Sequence, residues 1–217
     1  MFTLAFNVNQ HIYVNFSFNI YLNITSKTNI NRVNKNMKKS QVMIGLTNPK
    51  SPSNVGAVMR AAGCYQVDNV FYTGQRYAKA AKFSTDTKSV SDHIPLAGTE
   101  FLLDALIDKE ISPGIKIICV DLIEGAIPLP AFEHPENAYY IFGPEDGTIS
   151  QHIVDNADAV VYVPTVGCMN LAASVNVLLY DRLAKSDYMN IGGKDSGEAL
   201  IVKSRDTNNT VKVKSKK

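Results

Sequence analysis

The apolar positions of this chain fall into short runs whose period switches between that of a strand and that of a helix. Residues 42–47 (VMIGLT) are a continuous apolar run of strand length, and Asn48, Pro49, Ser51 and Pro52 punctuate its end. Over 54–65 the spacing changes. Val55, Val58, Met59 and Ala62 recur at helical intervals, which predicts a helix with one buried stripe and Ser53 as its cap. Residues 69–74 (NVFYTG) read as a second strand, and 99–109 (TEFLLDALIDK) as an amphipathic helix that Thr99 caps. The runs 116–122, 138–143 and 159–164 are apolar enough for strands covered on both faces, and a long helix over about 170–185 follows. This alternation predicts an α/β domain: a mostly parallel sheet with helices on both faces.

In such sheets ligands bind beyond the carboxyl ends of the strands. Here those ends read TNPKSPSN, DLIEGA, GPEDG and PTVGCMN. Loops of this kind collect Gly and Pro for their own geometry, yet three of them in the C-terminal half point to a shared small-molecule pocket. The helix over 54–65 raises a separate question. A helix that only buries a stripe has no need of Asn54 and Gly56 at its start or Arg60 near its middle. Gly56 reads as a close-packing position, and Arg60 falls on the side away from the buried stripe.

Composition changes the picture in two places. The net charge of +2 divides along the chain: residues 1–36 carry +3, residues 201–217 carry +5, and residues 37–200 hold 13 basic against 19 acidic residues. A surface attractive to polyanions all over is excluded, so a nucleic-acid site has to be a local patch. One such patch is visible, since Lys50, Arg60, Arg76, Lys79, Lys82 and Lys88 face only Asp68 and Asp86 between residues 50 and 88. Tyr72 and Tyr77 beside it could stack on unpaired bases. The three cysteines, Cys64, Cys119 and Cys168, are scattered and form no CxxC, and the four histidines do not cluster, so neither a disulfide framework nor a metal site is expected. No apolar run approaches the about 20 residues that span a bilayer, and a reducing, cytoplasmic setting is the default expectation.

The ends differ from the middle. Phe, Ile, Asn, Lys and Tyr fill 21 of the first 36 positions, nine of them Asn. These residues have codons made mostly of A and T. The expectation is a disordered leader over 1–36, read through from upstream sequence, with the protein itself beginning at Met37. Residues 37–190 are then the folded domain and 191–217 a basic flexible tail.

The stretches NPKSPSNVGAVMRAAG, IFGPEDGTIS and VPTVGCMNLAASVNVLLYDR resemble, in order, the three motifs of the SpoU (TrmH-type) branch of the SPOUT RNA methyltransferases. The likeness covers essentially all of 42–185. It implies a homodimer whose C-terminal part is threaded as a trefoil knot, a topology that general chain-threading rules would not have suggested. It also implies S-adenosylmethionine as cofactor and the ribose 2′-hydroxyl of tRNA or rRNA as target. Carried over by motif, the resemblance places Asn54, Arg60, Glu145 and Asn170 in the catalytic set. Asp121, Gly143, Val163, Cys168 and Met169 become cofactor-binding positions, and Arg76, Lys79, Lys82 and Lys88 the RNA contacts. No metal is implied.

Two departures stand out: Cys168 where the family usually has Ser, and Thr148, Ile149 and Ser150 where it usually has Gly-Leu-Ser. Cys168 and Thr148 support an alternative reading, a non-catalytic RNA-binding protein that keeps the fold, and the intact Asn54, Arg60, Glu145 and Asn170 oppose it. A dehydrogenase-type nucleotide-binding domain lacks its GxGxxG after the first strand. CMNLAASV resembles members that act on the tRNA wobble position.

Overall fold

A computed structural model describes residues 40–81, 94–107, 114–186, 210–211 and 213. The leader over 1–36, nearly all of the tail, and Lys82 and Lys88 lie outside the described residues. The fold below belongs to the unit Gln41–Lys217.

Among the described residues seven strands form one sheet: β1 (Val42–Leu46), β2 (Asn69–Tyr72), β3 (Leu96–Gly98), β4 (Lys116–Val120), β5 (Ile127–Pro128), β6 (Ala138–Phe142) and β7 (Ala159–Tyr162). Every pairing is parallel, and the order across the sheet is β3-β2-β1-β6-β4-β7-β5. β1 and β6 lie side by side near the centre with all five residues of each buried, as their unbroken apolar runs require. Alternate residues face opposite layers. Ile44, Leu46, Tyr140, Phe142, Ile118 and Val161 pack under α1 (Pro52–Cys64) and α4 (Leu171–Lys185). Met43, Cys119, Tyr139 and Ile141 face a 3-10 turn over Leu102–Ile107 and, through Ile149, Ile153 and Val154, the short α3 (Gln151–Asp155). Each fully buried Val, Ile, Leu or Phe here contributes about 1.5–3 kcal/mol.

α1 begins two residues earlier than the sequence pattern suggests. Ser51, in extended backbone, is its cap and accepts from the Asn54 N–H, while Pro52 sits at the first helical position, where its missing N–H costs nothing. The stripe of Val55, Val58, Met59 and Ala62 is buried as expected. Gly56 is not a close-packing position within this chain, because a Cβ there would meet nothing within 4 Å.

Other expectations need correcting. The helix expected over 99–109 is a 3-10 turn from Leu102, and Thr99 donates its hydroxyl to the Phe101 carbonyl instead of capping a helix. Arg76–Ala81, for which the pattern predicted no element, is α2. The edge strands β3 and β5 and the helix α3 were not anticipated.

A partly buried polar chain ties the end of α4 to residues 129–136. The Arg182 guanidinium donates to Tyr140 Oη at 3.0 Å, and His134 Nδ1 lies 2.7 Å from the same oxygen. An arginine can only donate, so the tyrosine hydrogen is left for His134 Nδ1, and Nε2–H donates to Asp181 at 2.9 Å. Lys185 donates to Asp181 and to the carbonyls of Leu129 and Phe132, and Arg182 to those of Pro135 and Glu136. Burial is the main reason that the His134 pKa falls below its ordinary value, with the Asp181 bond opposing it. Burial likewise pushes the Tyr140 phenol up to about 12.

Candidate active site

All seven strands point the same way, so their carboxyl ends share one edge, and the loops leaving β1, β2, β4, β6 and β7 gather there. The loop after β1 is held by two neighbours. Asn48 takes a left-handed backbone (φ 42°), donates its N–H to Thr73 Oγ1 at 3.1 Å, and lays its side chain over Gly74. A Cβ on Gly74, itself at φ 77°, would lie 2.2 Å from Asn48 Oδ1, so glycine is required.

The second hold is Glu145, from the loop after β6. One carboxylate oxygen accepts from the Lys50 N–H at 2.6 Å; the other accepts from the Ser51 N–H at 3.2 Å and from Asn54 Nδ2 at 3.1 Å. Partial burial pushes the Glu145 pKa up, but the bonds from Asn54, Lys50 and Ser51 outweigh it and leave the group below its ordinary value. The carboxylate is therefore ionised at neutral pH and committed to shaping this loop. Asn54 is held by Glu145 and does not cap α1; that cap is Ser51.

Arg60 stands apart. It lies six residues beyond Asn54, roughly 9 Å along the helix axis, on the exposed face of α1. No hydrogen-bond or ion-pair partner approaches it among the described residues. Glu145 does not orient Arg60 within this subunit.

The remaining positions surround the tips of β6, β4 and β7. The Asp121 carboxylate accepts from the Leu122 N–H at 2.8 Å and the Ile149 N–H at 2.9 Å, so it braces two loops. Gly143 makes room for it, because a Cβ there would lie 2.4 Å from Asp121 Oδ2. Leu122, 56% exposed, and the fully exposed Val166 leave apolar side chains in solvent at the tips of adjacent strands. Val163 is half-buried, Cys168 exposed and Met169 half-buried in the loop that leads to α4. Asn170 caps α4, accepting from the Ala173 N–H at 2.7 Å.

The basic patch is rearranged. Arg76 is paired with Asp146 and Lys79 is exposed. The rings of Tyr72 and Tyr77 meet edge to face at 5.0 Å and pack on the core, so they are not free platforms for bases. Asp146, the second acid of GPEDG, escaped the sequence reading; its position opposite a basic loop was the available signal. Among the described residues no group of three or more His, Cys, Asp or Glu could hold a metal ion, and no helix is long and apolar enough to cross a membrane.

A parallel α/β sheet whose first loop is locked by an acid from the β6 tip defines a class of fold in which separate strand tips build one site. The chain belongs to the SpoU rRNA Methylase family, which matches residues 41–180. No curated protein matches it. Among solved structures it is similar to the A. aeolicus TrmH/SpoU tRNA modifying enzyme, with TM-score 0.59 and 17% identity over 76% of this chain and 85% of that one. It is also similar to a structure described for 2-OH methylation of C/U34 on tRNA, with TM-score 0.55 and 19% identity over 67% of this chain and 95% of that one. A third is the AdoMet-bound rRNA methyltransferase from Sinorhizobium meliloti, with TM-score 0.56 and 16% identity over 68% of this chain. This chain spans 57% of the length of that last protein.

Proposed function

We propose that this chain is an S-adenosylmethionine-dependent RNA methyltransferase that modifies a ribose 2′-hydroxyl of tRNA or rRNA. The observation that carries the reading is Glu145 reaching from the β6 tip to order Lys50, Ser51 and Asn54, which joins the first and second motifs into one site. The cofactor fits the neighbouring tips: Leu122 and Val166 offer exposed apolar surface, as an adenine ring requires, beside backbone groups of Gly143, Val163, Cys168 and Met169. When bound, S-adenosylmethionine supplies a methyl group already activated on a sulfonium. The protein's part is then alignment and management of the hydroxyl proton.

Arg60 is suited to grip the phosphate next to the target ribose and to stabilise negative charge on the 2′-oxygen. A guanidinium with a pKa above about 12 is a poor proton acceptor at neutral pH, so charge stabilisation is its main role. Because Arg60 lies away from Glu145 in its own subunit, the site is completed in a homodimer, where a partner's helix brings the guanidinium in. Support for that assembly comes from α4, which exposes Val177 (37%) and Tyr180 (63%) and packs on α1, where Gly56 meets nothing. The implied knot is supported by β7, which sits between β4 and β5, and by the bonds that fasten α4 to residues 129–136. The three cysteines among the described residues are unpaired, in keeping with a cytoplasmic setting.

The test is transfer of labelled methyl from S-adenosylmethionine to unmodified tRNA and rRNA, with the product nucleoside identified by mass spectrometry. A 2′-O-methylnucleoside is expected. Arg60→Ala lowers the rate by about 10²–10³ with unchanged thermal stability. Methylation on a base, or RNA binding without any transfer, overturns the reading; the second outcome is that of a non-catalytic RNA-binding protein.

A further inference from the structure

Two adjacent acids leave the tip of β6, and they do different things. Glu145 orders the loop after β1. The Asp146 carboxylate takes two parallel bonds from Arg76, at 2.9 Å and 3.0 Å, and Lys50 Nζ stands 3.9 Å from its Oδ2. The two cations come from the loop after β1 and from the start of α2, and converge on one carboxylate whose side chain is 51% exposed. Besides its own backbone N–H, the polar partners of the Asp146 carboxylate among the described residues are these two cations. A pair of oxygens held by a guanidinium fork with an ammonium beside it is also the arrangement in which these groups hold the two free oxygens of a phosphodiester.

We propose that Lys50 and Arg76 form a binding site for one backbone phosphate of the substrate RNA, which Asp146 fills in the free protein and which the phosphate must take from it. The proposal rests on the RNA methyltransferase reading above. An ion pair this exposed is weakly held in water, so exchange of one oxyanion for another is feasible. Asp146 sets a threshold. An RNA that places a phosphate between Lys50 and Arg76 recovers what it displaces, and a polyanion that cannot do so gains nothing from Arg76.

The test measures binding of the full chain to unmodified bulk tRNA by fluorescence anisotropy over a salt series. Asp146→Asn is expected to bind roughly three- to tenfold tighter at low salt, with a log–log salt slope steeper by up to about 0.9. Asp146→Ser should behave in the same way. Arg76→Ala should weaken binding by a similar factor, and Arg76→Ala combined with Asp146→Asn should bind like Arg76→Ala alone. The charge control is Asp158→Asn, which removes an acid paired with Lys116 at the opposite ends of the strands and should leave binding unchanged.

The site is overturned if Asp146→Asn binds no tighter than the wild type. It is equally overturned if the tightening persists without Arg76 or is matched by Asp158→Asn, since either makes it a whole-molecule charge effect. Wild-type protein that binds no RNA removes the functional reading and this site with it. Wild-type binding with no gain in Asp146→Asn removes this site alone.

Discussion

Glu145 and Asp181 are both carboxylates that fasten a distant stretch of chain, and they do it in opposite surroundings. Glu145 works at the strand tips, where its oxygens gather two backbone N–H groups and Asn54 at the edge of solvent. Asp181 ends a chain that runs from Arg182 through Tyr140 to His134, whose side chain is only 4% exposed. Water can replace a lost partner at the first and not at the second. The exposed clamp can thus be adjusted when a substrate arrives, whereas the buried one has a fixed direction of donors and breaks as a unit.

Three measurements sharpen that contrast, in descending size of effect on stability. His134→Ala removes the acceptor of the Tyr140 hydrogen and one of the two donors to Asp181, which keeps Lys185, and leaves a void. Urea unfolding should report a loss of about 3 kcal/mol, and a loss below about 1 kcal/mol would mean that solvent reaches this chain.

The pH profile of stability should come next. His134 is held neutral, with its folded pKa below the ordinary 6.5. Unfolding then takes up a proton, so its contribution is complete above pH 6.5 and is lost as pH falls from there toward the folded value. The slope can reach about 1.4 kcal/mol per pH unit, and it should vanish in His134→Ala. Glu145 is also depressed, from an ordinary 4.5, so its contribution persists to about that pH and fades only as the medium becomes more acid. The buried clamp should fail first on acidification.

The smallest effect belongs to Glu145→Gln. The amide keeps one acceptor but loses the charge, and the site is solvated, so unfolding stability should change by less than about 1 kcal/mol. Methyl transfer should nevertheless fall by about tenfold, because misplacing the Lys50–Asn54 loop spoils alignment. A large loss of stability with unchanged transfer would reverse the roles given to the two clamps.

The sequence pattern foretold some of these features and not others, for physical reasons. β1 and β6 were legible because strands buried on both faces read as unbroken apolar runs. β3 and β5 have three and two residues and exposed edges, so they have no period to detect. Ser53 looked like the cap of α1 because it adjoins the periodic stripe, but Pro52 accepts a helical position, which moved the start forward and gave the cap to Ser51. Motif resemblance picked out Asn54 and Glu145, but their direct bond joins residues 91 apart and depends on β1 and β6 being neighbours. Tyr72 and Tyr77 looked available for bases because α2, which folds one ring against the other, was not predicted.

The place of β7 in the sheet bears on how the molecule assembles. Among the described residues β5 pairs with β7 alone, and β7 lies between β5 and β4, though it comes last of the seven along the chain. The sheet therefore cannot be laid down in the order of synthesis: β5 has no ladder to join until a strand about 30 residues downstream has entered the gap. Late entry of that strand makes completion of this edge a non-local event, and slow refolding should follow.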